Sequence, residues 1–452
     1  MSDHRESPNY QDALADLIAH ARAAGADAAD AVLASGTALS VSLRLGAVEH
    51  LEQEEGRDLG LRVFVGNRSA MVSSTAVDRN GFKLLAERAV AMARVVPEDP
   101  YSALAEQARS PEAADIAALD LADDAHPDAA ALIARARLAE DAARAVHGVI
   151  NSEGASAALG RTEIVLVTSA GFSGHYHRSS HSVSATALAG AGTAMQRDYD
   201  YSSASHLTDL EDSEAIGRAA GERAVARMNP DRPPTAKLPV VYDPRVASSM
   251  LGHLSGAING SSVARGTSFL KDRMGARLFA PGIDIIDDPR RVRGPRSRPF
   301  DGEGLPTAMR ALIEGGVLQT WLLDTRSARQ LGLASTGSAS RGTSGPPGPS
   351  STNLFMRPGS MSPAELMADI RLGLYVTELI GMGVNGLTGD YSRGAAGFMI
   401  RDGAIAEPVA EITVAGNLIE MFAHLIPAND LRFRRGTDAP TLRIEGMTMA
   451  GS

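Results

Sequence analysis

The chain has 452 residues, 44% of them hydrophobic, with 44 Lys+Arg against 54 Asp+Glu and a formal net charge of −10. At about 150 residues per domain this length allows two or three cores, and the apolar content can fill them, so neither a disordered chain nor a generally basic nucleic-acid coat protein is expected. Cysteine is absent, which removes disulfides, a thiolate nucleophile and any Cys-ligated zinc or iron–sulfur centre.

The opening stretch, Met1 to Tyr10, lacks a basic segment followed by an apolar one, and no apolar run approaches the roughly 18–20 residues that span a bilayer. A cytoplasmic protein without a membrane partner is expected. The three lysines, Lys83, Lys237 and Lys271, do not follow a glycine, which excludes a phosphate-binding P-loop. Aromatic residues make up 4% of the chain, too few for rows of base-stacking platforms.

In chain order, Ser7 and Pro8 suit the cap and first position of a helix over 8–24, with Leu14, Leu17, Ile18 and Ala21 on one face and Gly25 as the stop. Alternation of Val41, Leu43 and Leu45, and of Leu59, Leu61, Val63 and Val65, predicts strands of one antiparallel sheet. Phe82, Leu85, Ala89 and Met92 return to the helical period over 80–95. After a polar connection over 97–120 the order recurs. An Ala-rich helix with Leu132, Ile133, Ala136 and Leu138 precedes strands at 147–153, 161–169 and 171–195 and a helix at 211–228. The element order therefore suggests duplicated halves at 1–96 and 121–228, although they share no residue pattern.

Asn229-Pro230-Asp231-Arg232-Pro233-Pro234 favours an extended connection, which places a linker at 229–236 between an N-terminal region, 1–228, and a C-terminal domain, 237–452. The fold class is thus α+β, an N-terminal antiparallel sheet with helices followed by a β-rich domain. Within that domain a helix over 245–259 carries Leu251, Leu254, Ala257 and Ile258, and another starts at Ser362-Pro363-Ala364-Glu365 with a capping pattern. The stretch Ser335 to Asn353, rich in Gly, Ser and Pro, reads as a mobile surface loop without a core.

Four patterns bear on chemistry. Gly381, Gly383 and Gly386 spell G-x-G-x-x-G after a strand over 375–380, but turn formers follow where a dinucleotide site needs a helix, so tight turns are expected. His175, His177 and His181 fall on one face of a strand, as zinc ligands or as a solvated face. Arg290, Arg291, Arg293, Arg296 and Arg298 follow Asp284, Asp287 and Asp288, and read as an exposed, self-compensating loop or as an anion patch. In Tyr391-Ser392-Arg393-Gly394, Arg393 could fork onto a substrate carboxylate or pair with Asp390 across a turn.

Arg265-Gly266-Thr267-Ser268, Ser327-Ala328-Arg329 with Gly332-Leu333, Ser351-Thr352-Asn353-Leu354 with Pro358-Gly359, Gly389-Asp390-Tyr391-Ser392-Arg393-Gly394, Pro408-Val409 with Gly416-Asn417, and Asn429-Asp430-Leu431 together resemble the TldD/PmbA (TldD/TldE) family. The resemblance implies that a TldD-type subunit carries zinc on an H-E-x-x-x-H helix with a later cysteine, and pairs with a PmbA/TldE-type subunit that lacks them. Here the motif positions fall on Leu251, Gly252 and Gly256, His253 falls between them on a different one, and the cysteine is missing. The chain is similar to the PmbA/TldE type, with no catalytic or metal residue of its own and zinc expected in a TldD-type partner.

What this implies is a non-zinc subunit of a heteromeric metalloprotease acting on unfolded or extended peptides. Tyr391, Ser392, Arg393 and Gly394 would form a substrate- or partner-facing turn, and Ser351, Thr352 and Asn353 would line a shared chamber. Two other readings stand beside it. One is a regulatory, gyrase modulator-like binding protein that could use the arginine cluster. The other is a homodimeric metal-dependent hydrolase built on His175, His177 and His181.

Overall fold

A computed structural model describes residues 9–451. Helix α1, Tyr10–Ala23, is capped by Asn9, whose side chain accepts from the Asp12 N–H; Ser7 and Pro8, the expected cap, lie outside the described residues. Strands β1 (Ala28–Arg44) and β2 (Ala47–Val65) run far beyond the alternating stretches and meet at a two-residue turn. Leu45 is in that turn rather than in a strand: with Gly46 it adopts positive φ, 51° and 79°, which matches the twist of the flanking strands. Strand β3 (Arg68–Ser74) and helix α2 (Arg79–Val95) close the first unit.

A short helix, α3 (Ala113–Ala117), lies in the polar connection, and the order then repeats as α4 (Ala129–Arg144), β4 (Val149–Thr168), β5 (Ser173–Ala189), β6 (Gln196–Ala204) and α5 (Ser213–Ala226). The stretches expected as two strands at 147–153 and 161–169 are one, because Ala155 and Ala157, too small to stand out, carry the inward alternation on to Leu159. The third expected strand, over 171–195, ends at Ala189, and a separate edge strand begins at Gln196. All six strands form one antiparallel sheet in the order β3-β2-β1-β4-β5-β6, so each helix–strands–helix unit supplies half of it and the two meet at β1–β4. Met92 and Leu138, expected on buried helix faces, are exposed. Small residues take the packing positions instead, as where a β-carbon at Gly217 of α5 would collide with the Ala139 carbonyl of α4.

In the C-terminal domain, β7 (Ala236–Tyr242) leads into α6 (Pro244–Ala257). A small sheet follows in the order β10-β9-β8-β13-β18, built from β8 (Ile285–Asp287), β9 (Arg310–Glu314), β10 (Val317–Leu318), β13 (Leu354–Met356) and β18 (Thr437–Asp438). Between them β11 (Ala339–Ser340) and β12 (Gly348–Pro349) pair as a hairpin. Strands β14 (Leu372–Ile380), β15 (Asp390–Arg401), β16 (Ala404–Asn417) and β19 (Leu442–Ala450) join β7 in a ring closed by the β16–β19 pairing, with β17 (Leu425–Pro427) beside β19. This closed barrel and α6 share one core of Val240, Leu254, Val414 and their neighbours.

The two regions meet on the face of the N-terminal sheet opposite its helices. In β1 the run Ala29–Leu33 is buried without interruption because both faces are covered. Ala29, Ala31 and Leu33 pack in the core under α1 and α2, whereas Val32 joins Phe172, Tyr176 and Phe300 at the seam. Between them Asp30, 1% exposed, accepts from Arg62 Nε at 2.9 Å and from Arg341 Nη1 at 2.6 Å. Burial raises the Asp30 carboxyl, but the Arg341 and Arg62 guanidiniums outweigh it and hold it below the usual carboxylate range.

Arg341 belongs to the stretch expected as a mobile loop. That expectation fails, since Ser338, Ala339, Thr352 and Asn353 are buried. Polar partners rather than apolar burial fix the segment: the Ala339 N–H donates to Asp301 at 3.0 Å, and Gly60 leaves room for the Thr343 carbonyl. Replacing Asp30 with Asn strands two buried guanidiniums, so the urea midpoint should fall by the equivalent of about 3–5 kcal/mol.

Glu303 sits 3.9 Å from Arg62, and burial pushes it up to about 7 against that pull. Because the folded pKa lies above the ordinary 4.5, its contribution is complete below that value and is lost as pH rises toward 7, on the order of 3 kcal/mol in all. Glu303→Gln should therefore raise the urea midpoint above the parent's at about pH 8 and not at about pH 4.

Candidate functional site

Helix α6 starts where Asp243 accepts from the Arg245 N–H at 2.9 Å and Pro244 takes the first position. Ala247, Met250, Leu251, Leu254 and Ala257 are buried in the core. Gly252 and Gly256 lie on the exposed side, and a β-carbon at either would enter open space. Of the three motif positions, Leu251 is thus spent on packing, while the two that face outward bring no side-chain donor. Zinc does not fit this set.

His253 is the one imidazole on the helix. Its Nε2 is buried without a hydrogen-bond partner, and its ring meets Tyr391 edge-on with centroids 5.8 Å apart. Burial, with Arg393 adding to it, lowers its pKa to about 4, so the ring is neutral at ordinary pH. Burial likewise pushes the Tyr391 phenol up to about 12.

Beside the first turns of α6 a cavity of about 400 Å³ opens at the seam, lined by Asp198 and Tyr199 of β6, Arg227, Arg245, Glu378 and Arg393 among others. Arg245 Nη1 donates to Asp198 at 2.7 Å, and Arg227 bridges Asp198 at 3.3 Å and Glu378. Burial opposes the Arg245 charge, but Asp243 and Asp198 outweigh it and raise its pKa. Arg393 Nε is buried without an acceptor. The arrangement can bind and orient a polar chain; it presents no activated nucleophile.

The residues expected to form a turn at Tyr391-Ser392-Arg393-Gly394 lie instead in β15, paired with β14 and β16. Strand alternation divides them, since Tyr391 is 1% exposed, Ser392 exposed and Arg393 half-buried. Asp390 accepts from Thr388 and Asn417 instead of Arg393. Thr352 and Asn353 are buried, Thr352 donating to Asp287 and Asn353 to Ser297, whereas Ser351 meets Ser255 of α6 at 3.2 Å. The structure therefore does not gather these seven residues at one wall. The glycines of G-x-G-x-x-G connect β14 to β15 in tight turns, with Gly381 at φ 76°.

Two other patterns resolve differently from expectation. His175, His177 and His181 do share a face of β5, but His181 is buried with Nε2 3.1 Å from Asp123 while the other two are exposed. Among the described residues no three His, Asp or Glu side chains are grouped to hold a metal ion. The arginines are not paired with Asp284, Asp287 and Asp288. Arg293 reaches Asp120 at 2.6 Å and Asp209 at 3.1 Å, Arg290 the Asp115 carbonyl at 3.1 Å, and Arg291 stacks 3.5 Å above Phe433. Arg290 and Arg293 thus tie the two regions together, while Arg291 packs within the C-terminal domain. The sequence reading missed the Asp30–Arg62–Arg341 group and Asp198, although one signal was present: an acid within an apolar strand run, Ala28–Ala34, marks a covered polar face.

No helix among the described residues is long and apolar enough to cross a membrane. Three domain profiles of one family match in succession: PmbA/TldA metallopeptidase domain 1 at residues 29–93, the central domain at 122–228 and the C-terminal domain at 235–451. Metalloprotease PmbA of Escherichia coli O157:H7 is 35% identical over 428 residues, 94% of this chain and 92% of that protein. A crystal structure from Bacteroides thetaiotaomicron, named for DNA gyrase modulation, is 28% identical with a TM-score of 0.88 over 99% of this chain and 100% of that one. TldE from Thermococcus kodakarensis shares the fold, with a TM-score of 0.85 at 19% identity over 97% of this chain and 100% of its own. With profiles spanning most of its length and a relative of this similarity, the chain belongs to the PmbA/TldD metallopeptidase family, on its PmbA/TldE side.

Proposed function

We propose that this chain is the non-zinc subunit of a heteromeric metallopeptidase that processes unfolded or extended peptides, with zinc and the general base supplied by a TldD-type partner. The observation that carries the reading is the outer face of α6, where Gly252 and Gly256 meet open space in a chain that otherwise matches a metallopeptidase family throughout. Peptide hydrolysis by a metal needs about three protein ligands and an activated water. That helix offers one imidazole, His253, buried against Tyr391, and no second ligand or base, so the chain's part is to shape and line the chamber.

Two further features support it. Residues 47–58 of β2 are exposed and, beyond the reach of β3, have no strand neighbour on their outer edge among the described residues, a main-chain surface suited to another subunit. The cavity beside α6 is lined by Arg393, whose buried Nε lacks an acceptor and whose charge suits a peptide carbonyl or carboxylate. Ser392 and Arg393 are therefore the favoured substrate-facing pair, with Ser351 as a further lining residue. A peptide held as an added strand would be gripped by main-chain hydrogen bonds with little side-chain selection.

Purified alone, the chain should hold no stoichiometric zinc and cleave no peptide. Reconstituted with a relative bearing the complete H-E-x-x-x-H motif, it should give a zinc-containing complex that does. Zinc-dependent cleavage by this chain alone, or undiminished cleavage by the partner after this chain is removed, would overturn the proposal. In the complex, Arg393→Ala should raise KM about tenfold, the loss of one charge-assisted hydrogen bond, without changing the zinc content.

A further inference from the structure

A second seam cavity, of about 480 Å³, lies between the even-numbered face of the N-terminal sheet and residues 296–302. We infer that it is an oxyanion site, built to take a carboxylate or phosphate group. Its walls carry four guanidiniums, Arg178, Arg296, Arg298 and Arg341, and one carboxylate, Asp301. That carboxylate is one charge against four, and its oxygens are already engaged. Asp301 Oδ1 accepts from the Glu303 and Leu305 N–H groups at 2.9 Å each, and Oδ2 accepts from the Ala339 N–H at 3.0 Å. Burial raises the Asp301 carboxyl above the usual range, against the pull of those N–H groups and of Arg298.

Each guanidinium is held by one protein acceptor, which orients it without a ligand. Arg178 donates to the Pro295 carbonyl, Arg296 to Thr437 at 3.1 Å, Arg298 to the Ala339 carbonyl at 2.7 Å, and Arg341 to Asp30 at 2.6 Å. The remaining donors are what point to a ligand. Nε and Nη2 of Arg298, and Nε and Nη2 of Arg341, are buried with no acceptor, although the Arg341 side chain is only 2% exposed. Buried polar donors are normally satisfied, and a guanidinium presents Nε and Nη2 as a planar fork that an oxyanion accepts with two oxygens. Because protein contacts fix these side chains in advance, binding requires little ordering.

Two sources could supply that chemistry, the terminal carboxylate of a peptide or a free inorganic anion. The peptide source rests on the function proposed above; the anion site itself does not. The test uses the full-length chain and titration calorimetry with three probes: inorganic phosphate, a short extended peptide with a free C-terminal carboxylate, and the same peptide amidated. Saturable phosphate binding that weakens with added salt is expected, and both Arg298→Gln and Arg178→Gln should weaken it at least tenfold. Those two variants leave the Asp30–Arg341 contact in place, and unchanged melting of the unliganded proteins verifies that the fold is intact.

A tenfold preference for the free over the amidated peptide would support the site and identify a peptide terminus as its occupant. Equal peptide binding with phosphate binding retained would support a free anion instead. Absence of saturable phosphate binding, or affinities untouched by both substitutions, would overturn the inference. Failure of the reconstituted complex to cleave peptides would count against the proposed function alone.

Discussion

Asp30 stands in an apolar strand with Arg62 and Arg341 as its partners, and a carboxylate withdrawn this far from water is tolerated only while both guanidiniums are in place. Arg62 is supplied by the neighbouring strand, but Arg341 comes from a segment more than three hundred residues later. The interaction therefore ties correct folding of the N-terminal sheet to correct seating of the C-terminal domain. Its net contribution to stability is small compared with apolar burial; its effect is to penalise other seatings, each of which would leave a buried charge uncompensated. The same contact gives the Gly- and Ser-rich segment around Arg341 a fixed place that its composition cannot provide.

A seam joined by ions differs from one joined by aliphatic side chains. Methyl groups close ranks at van der Waals distance, whereas guanidiniums hold their partners at hydrogen-bond length and in plane, which leaves gaps. Both arginine-lined cavities described above lie along this boundary, one beside α6 and one against the open face of the N-terminal sheet. The cores show the contrast: Leu14, Leu17 and Leu33 on one side, and Val240, Leu254 and Ile285 on the other, are fully buried. Binding chemistry in this molecule is thus concentrated at the seam, where charged contacts stand beside the apolar cluster of Val32, Tyr176 and Phe300.

How much of this was legible in the sequence depended on which force fixed each residue. Helices and strands that bury leucine and valine announced themselves, as in α1, α2 and α6, and the capping box at Ser362 and Glu365 is present as its spacing implied. Where alanine, serine and glycine do the packing, periodicity faded: β4 looked like two strands, and Met92 and Leu138 were assigned to buried faces that smaller residues occupy. Residues fixed by distant partners could not be read at all. Nothing near Arg341 or Arg293 names Asp30 or Asp120, because the pairing is set by the docking of two regions and not by local spacing. The candidate site was legible only in what it lacks, since Leu251, Gly252 and Gly256 carry that information in their own side chains, whereas the division of Tyr391 from Ser392 required knowing that they lie in a strand.

The closure of the barrel also constrains how a peptide could be held. With β7, β14, β15, β16 and β19 joined in a ring and Ser392 and Arg393 paired with β16, the barrel offers an added strand little free edge, and these two residues meet a ligand chiefly through their side chains. The longest open edges belong to the N-terminal sheet: β3, β6 and the part of β2 beyond β3. Of these, β6 is the one whose first residues, Arg197 to Tyr199, border the cavity that also contains Arg393. On the proposed reading, the two regions then contribute differently to holding a peptide. The sheet supplies an edge that any extended backbone can join, and the barrel wall supplies charge that selects where along that backbone it stops. A chamber built this way needs no chemistry of its own, and that is consistent with a helix whose outward positions, Gly252 and Gly256, are glycine.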